Sequence, residues 1–341
     1  MTCSLALLAV LLVAPGLSAQ SFKVEKWNIG GEGGTDYIVA EPGTGRVFVS
    51  RQTHVMVIDG ATGKVLGDIP NTPRMHGIGL AKKWNHGFTT NAGDSSVTMF
   101  DLTTLAYIKK TPVKVGGLDG IMYDDYSDRI ILTNHSRIGT AVALDANTGD
   151  VVGTAELEDN APEGAASDGK GKLFVNNEGT NTIQVLDAKS MKVLASWPIA
   201  PCDGPTGIAL DRKTNRIFSG CSKKSVVIDA STGKVVAEIE NGDRVDALGY
   251  DDAEKLIYIP GGAGKGTVTV VRQDGPDKYT TVATVETVPG AKTIAVDPIR
   301  HRAYLFQPER GPASPPPARS PAGTPPTPGA ILNAWFVAIS H

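Results

Sequence analysis

Val55-Met56-Val57-Ile58-Asp59-Gly60-Ala61-Thr62-Gly63-Lys64-Val65 reads as a β-run, a turn and the start of a second β-run. The phrase then returns. Val142-Ala143-Leu144-Asp145-Ala146-Asn147-Thr148-Gly149-Asp150 is a second copy and Ile183-Gln184-Val185-Leu186-Asp187-Ala188-Lys189-Ser190-Met191-Lys192-Val193 a third. A fourth is Val226-Val227-Ile228-Asp229-Ala230-Ser231-Thr232-Gly233-Lys234-Val235, and Val97-Thr98-Met99-Phe100-Asp101-Leu102-Thr103-Thr104-Leu105 is a divergent one. The aspartates stand at 59, 101, 145, 187 and 229, so the steps are 42, 44, 42 and 42 residues. A fixed period of that size marks a repeat architecture. Within the phrase, Thr-Gly supplies a residue that tolerates positive φ in a hairpin turn. The aspartate before it can accept backbone N–H groups of the same turn. The recurrent Asp therefore reads as structural.

Each period holds four short β-type runs separated by turn residues. In the fifth, these are 207–210, 216–219, 225–228 and 235–239. Seven innermost runs begin near Tyr37, Gly77, Gly120, Gly164, Gly207, Ala247 and Thr293. The expected fold is all-β, a seven-bladed β-propeller of four-stranded blades. The last unit has only three runs, and the alternating segment at 22–27 is left over at the other end. The N-terminal strand should complete the last blade and close the ring, leaving no long sheet edge bare. The proline-rich stretch 308–329 cannot pair well in a ladder and reads as a disordered loop inside that blade.

The bulk composition excludes more than it assigns. The chain has 341 residues and a net charge of −3, with only 6% aromatics and no basic run. That balance speaks against nucleic acid as a partner. No P-loop, dinucleotide fingerprint, serine-hydrolase elbow or c-type haem motif occurs. Residues 1–19 read as a signal peptide cleaved after Ala19, although no Lys or Arg precedes the apolar run at 5–13. Residues 20–341 are then a single propeller domain, periplasmic or secreted, with no membrane span in the mature chain. Cleavage leaves two cysteines, Cys202 before an inner strand and Cys221 after the second strand of the same blade. An exported chain with two cysteines so placed suggests a disulfide. A redox pair or a metal site lacks its usual C-x-x-C spacing.

Ile130-Ile131-Leu132-Thr133-Asn134, Phe88-Thr89-Thr90-Asn91 and, more loosely, Leu173-Phe174-Val175-Asn176-Asn177 share a Thr-Asn or Asn-Asn ending on the second run of their units. With the Val-x-Val-Ile-Asp-x-x-Thr-Gly-Lys phrase, they resemble the YVTN β-propeller repeat family. The resemblance covers nearly all of the mature chain. It implies an exported bacterial seven-bladed propeller of the YncE-like kind, and it carries no catalytic motif. Units one, six and seven depart from the signature at Val49-Ser50, Ile259-Pro260 and Phe306-Gln307.

Alignment of the repeats exposes the positions that do not repeat. The residue before each inner strand is Asp36, His76, Asp119, Glu163, Thr206, Asp246 and Lys292 in turn. Symmetry places these seven around one mouth of the central channel, with the variable loops carrying Arg51, Asn134, His135 and Glu178 outside them. Clustered carboxylates either raise one another's pKa or recruit a cation. Asp36, His76, Asp119, Glu163 and Asp246 form the expected ligand set for a divalent metal, Ca²⁺ or Mg²⁺ from the oxygens, or Zn²⁺ through the histidine. Two functional readings follow. One is a monomeric binding scaffold that takes a small molecule, peptide or protein on this face. The other is a lactonase-like hydrolase in which a metal polarises a carbonyl and activates water.

Overall fold

The computed structural model describes residues 21–315 and 326–341. The expected signal segment and the middle of the proline-rich stretch lie outside them. Seven four-stranded antiparallel sheets follow one another along the chain. Their inner strands are Ile38–Ala40, Met75–Ala81, Leu118–Asp124, Pro162–Ser167, Ile208–Asp211, Gly249–Asp251 and Ala295–Asp297. The ring closes as expected. Lys23–Asn28 pairs with the C-terminal strand Ile331–Ser340, Trp27 facing Phe336, and becomes the outer strand of blade seven. In that blade the ladder runs further than the prolines suggest. Pro308, Glu309 and Arg310 pair with Ala334, Asn333 and Ile331, and Ser314 bridges Thr327. Pro308 lacks an N–H, but its carbonyl side and its neighbours still pair. Among the described residues no helix is long and apolar enough to cross a membrane.

Packing explains why the ring holds without a central core. Each apolar cluster is shared by two neighbouring blades. Phe48, Val57, Ile78 and Phe100 join blades one and two, and Leu256, Val270, Leu305 and Val337 join six and seven. Ile38, Val47, Tyr304 and Phe336 join one to seven, so the closing interface resembles the others. Second and third strands are covered on both sides and read as continuous apolar runs, such as Val55–Asp59, buried except at its last residue. Outer strands such as Val65–Ile69 are covered on one side only.

The repeated phrase makes the same turn in all five copies. Asp59 Oδ1 accepts the N–H groups of Ala61 and Thr62, both at 2.9 Å, and Asp187 Oδ1 accepts those of Lys189 and Ser190 at 3.1 and 2.7 Å. The residue four beyond the aspartate takes positive φ each time, about 70° at Gly63 but also 60° at Leu105 and 57° at Met191. These two side chains are compensated across the blade interface. A Cβ at Gly67 would lie 2.4 Å from Leu105 Cδ1, and one at Gly153 would lie 3.0 Å from Met191 Cγ. Where the turn keeps glycine, a tryptophan can cover it, as Trp27 covers Gly63 and Trp197 covers Gly233.

Candidate functional site

The backbone sets the spacing of the mouth before any side chain does. In blades two to five the mouth residue is followed by glycine, as in His76-Gly77, Asp119-Gly120, Glu163-Gly164 and Thr206-Gly207. A Cβ would stand 2.9 Å from Asp119 O if placed at Gly77, 2.9 Å from Glu163 O at Gly120, and 3.0 Å from Thr206 O at Gly164. The missing side chain lets each inner strand rest against the mouth carbonyl of the next blade. The second strand holds the same carbonyl. Thr90 donates its hydroxyl to Asp119 O at 2.6 Å, Thr133 to Glu163 O at 2.8 Å, and Asn176 its amide to Thr206 O at 3.1 Å. The Thr-Asn signature is thus an inter-blade clamp. Its final Asn closes the following loop, as when Asn134 donates to Gly116 O and accepts from Thr140 N.

Four of the seven expected residues meet in an arc over blades one to four. His76 Nδ1 bonds to Asp36 Oδ2 and lies 3.6 Å from Asp119 Oδ1. The other Asp119 oxygen is 3.2 Å from His135 Nε2, which in turn is 3.0 Å from Glu163 Oε1. Glu163 Oε2 accepts the Tyr37 hydroxyl at 3.0 Å. Acids and imidazoles therefore alternate. Two sets place one ligand atom from each member within 4.8 Å of one another: Asp36, His76 and Asp119, then Asp119, His135 and Glu163. A divalent metal fits either set by donor type, and imidazole beside carboxylate suits Zn²⁺ or Mn²⁺ better than Ca²⁺.

Burial makes this arc electrostatically expensive. Asp119 is only 8% exposed. Desolvation first, then the charges of Glu163 and Asp36, raise its carboxyl to about 7, against the pull of His135 and His76. The Glu163 carboxylate lifts His135 to about 9, outweighing burial. Burial lowers His76, but its contacts with Asp36 and Asp119 prevail and the net shift is upward. Desolvation first and the Glu163 charge next hold the half-buried Tyr37 neutral, well above its ordinary range. Two buried atoms still lack a directed hydrogen bond, Asp119 Oδ1 and His135 Nε2. His135 Nε2 is within ion-pair distance of two carboxylates, but the angles are too poor for a hydrogen bond.

The other three expected residues do not join the arc. Asp246 pairs with Lys292 at 2.5 Å. Burial raises the Asp246 carboxyl to about 6, and the Lys292 ammonium opposes that rise. Asp246 already has its cation, which removes the reason to count it among metal ligands. Thr206, 4% exposed, donates to Val245 O at 3.1 Å and belongs to the packing between blades five and six. This half of the mouth supplies room instead, a cavity of about 610 Å³ lined by Glu178, Asn181, Thr206, Arg244, Asp246 and Lys292. Beside it Cys202 and Cys221 form the expected disulfide, with Cα atoms 5.6 Å apart. Arg51 is fully buried. It donates to Gly30 O and Gly31 O at 2.9 Å each and lies over Phe306, so it serves packing.

Two members of the arc were less visible in sequence. His135 belongs to a strand-connecting loop and reaches Asp119 and Glu163, not His76. Tyr37 stands where blades two to five have glycine, and that departure from the repeat is its signal.

No family model and no curated protein matches this sequence. Solved structures match its fold. A chain of the Kuenenia stuttgartiensis hydrazine synthase has a TM-score of 0.68 at 17% identity, covering 80% of this chain and 92% of that one. A chain of the mitotic checkpoint complex gives 0.73 at 14%, covering 89% and 96%. The RRP9 WD40 repeats give 0.75 at 9%, covering 93% and 97%. At such identities the likeness concerns the propeller alone.

Proposed function

We propose that this chain is an exported propeller of the YVTN-repeat type that binds a small ligand at the channel mouth through a divalent cation. The observation that carries the reading is Asp119, a buried acid between two histidines with one oxygen left without a hydrogen bond. The half of the mouth in blades one to four supplies the cation ligands, and the cavity beside Thr206, Asp246 and Lys292 supplies space for what the cation holds. The Cys202–Cys221 bridge supports an oxidising compartment. Protein purified without chelator and dialysed against Zn²⁺ or Mn²⁺ should retain metal, and both Asp119→Ala and Glu163→Ala should retain less of it. Retention of full metal in both variants, or none in the parent after loading, ends the proposal. N-terminal sequencing of the exported protein should begin at Gln20.

A second reading has one observation in its favour. The arc sets imidazoles and carboxylates within ion-pair distance of one another, so that one acid, such as Glu163, or His76 can serve as general base while the others hold the ion. Turnover of lactones by the metal-loaded protein, lost in Asp119→Asn, would convert the binding protein into a hydrolase.

A further inference from the structure

Asp119 is the one residue common to both ligand sets, and it enters them through different atoms. Its Oδ1 faces His76 Nδ1 at 3.6 Å and its Oδ2 faces His135 Nε2 at 3.2 Å. Each side ends in a further acid, Asp36 beyond His76 and Glu163 beyond His135. The side chain has little room to turn, since Thr90 holds the backbone carbonyl and only 11% of the side chain is exposed.

A single ion at this place would leave one histidine and one acid unused. A chain of protonated imidazoles between carboxylates would need no ion, but it would direct its N–H groups at the oxygens. His76 is so directed at Asp36, but Asp119 Oδ1 and His135 Nε2 stand at ion-pair distances with no directed hydrogen bond. Neighbouring ligand atoms on one ion bonded at roughly 2.1 Å stand about 3.0–3.4 Å apart. The His135 Nε2 separations from Asp119 and Glu163, 3.2 and 3.0 Å, are of that size, whereas His76 Nδ1 is hydrogen-bonded to Asp36 and 3.6 Å from Asp119 Oδ1, so an ion on that side must replace the bond's proton. Two ions joined by a bridging carboxylate are a familiar arrangement when a pair of metals must act on one ligand.

We propose, resting on the metal-binding reading above, that the mouth holds a dinuclear centre of first-row divalent ions. Asp36, His76 Nδ1 and Asp119 Oδ1 hold the first ion. Asp119 Oδ2, His135 Nε2 and Glu163 hold the second. Asp119 is the bridge, and the channel side of both ions is open to ligand. Loading displaces the protons of His76 Nδ1 and His135 Nε2 to solvent, so the neutral imidazoles bind the ions.

Equilibrium dialysis of the full chain against Zn²⁺, and separately Mn²⁺, with metal counted per folded protein, tests this. Two equivalents are expected in the parent, with exchange-coupled manganese in the electron paramagnetic resonance spectrum. His76→Ala and His135→Ala should each keep one equivalent, now uncoupled, and Asp119→Asn should lose the coupling along with at least one ion. One equivalent in the parent, lost in both histidine variants, overturns the pair of ions and leaves the metal-binding reading standing. No metal in the parent overturns both. Two uncoupled equivalents in the parent, or coupling that survives Asp119→Asn, removes the bridge. If a variant fails to fold, the stoichiometry and coupling of the parent decide alone.

Discussion

The same residue type does opposite work at the two ends of the blades. In the repeated turns, Asp59, Asp101, Asp187 and Asp229 each accept N–H groups of their own loop, and their carboxyls are held below the ordinary range. At the channel mouth, Asp119 and Asp246 have no such donors, and burial pushes them to about 7 and about 6. The turn acids repeat because every hairpin needs the same donors satisfied. The mouth acids do not repeat, and each meets a different neighbour. An acid that is satisfied by backbone stabilises the fold. An acid that is buried without backbone donors is held there by the fold at a cost, which is the signature of a residue kept for binding.

Substitution at one end and the other should separate these roles most widely. Asp119→Ala is expected to weaken metal binding by about 100-fold or more, since removing even groups behind the ligands costs about 10–100-fold. The melting temperature of its metal-free form at pH 8 should be no lower than the parent's, because an ionised, desolvated carboxylate has been removed. Asp187→Ala should do the reverse. It leaves the N–H groups of Lys189 and Ser190 without their acceptor and costs about 1 kcal/mol of stability. Its metal binding should equal the parent's. If both variants moved both quantities alike, the distinction between the two faces would be wrong. Urea denaturation and equilibrium dialysis on the same preparations measure the two quantities.

Acidity offers a second contrast, with signs that can be worked out. The folded protein raises Asp119 from 3.8 to about 7, so the mouth favours its protonated form and stability falls as pH climbs between those values. His135 is raised from 6.5 to about 9, so its stabilisation is complete below 6.5 and is lost as pH rises through the folded value. The groups facing the pair are Asp36, His76, Glu163 and Glu178. The turn aspartates are lowered, so their contribution is full above 3.8 and is lost as pH falls below it. Metal-free protein should therefore be most stable near pH 4–5, by roughly this balance. Metal affinity should run the other way and rise with pH through about 7 and on to 9, as protons leave Asp119 and His135. Metal-free stability that climbs from pH 5 to 9 would show that the mouth is not the strained region.

What could be read from the sequence follows the same division. The turns were legible because a hairpin of this kind has one chemical solution, and Asp with Thr-Gly states it locally. Even so, Leu105 and Met191 adopt the glycine conformation, and only the facing Gly67 and Gly153 of the preceding blade explain how they fit. At the mouth, repeat alignment located the seven positions but weighted them equally. It could not show that Thr206 turns into the blade interface, or that Lys292 neutralises Asp246, because side-chain direction is decided by neighbours distant in sequence. Nor did the alignment include His135, which comes from a loop between strands. The glycines after His76 and Asp119 were the local trace of the arc, since they bring the backbones of His76, Asp119 and Glu163 close together.

That trace gives the smallest and most local way to compare the two regions, the same Gly→Ala change at each. At Gly153, on an outer strand, the new methyl would meet the buried Met191 at Cγ, 3.0 Å away, and that side chain must give by a few tenths of an ångström. The cost should be about 1 kcal/mol of packing, far from the mouth. At Gly120 the methyl would meet Thr133 Oγ1 at 2.6 Å and Glu163 O at 2.9 Å, a clamp and a backbone that hold each other. Relief requires blade four to move away from blade three, at about 1–3 kcal/mol. That movement carries Glu163 away from His135, so Gly120→Ala should weaken metal binding several-fold although it touches no ligand. Gly153→Ala should leave binding unchanged. Equal effects of the two substitutions on metal affinity would mean that inter-blade spacing does not set the geometry of the mouth.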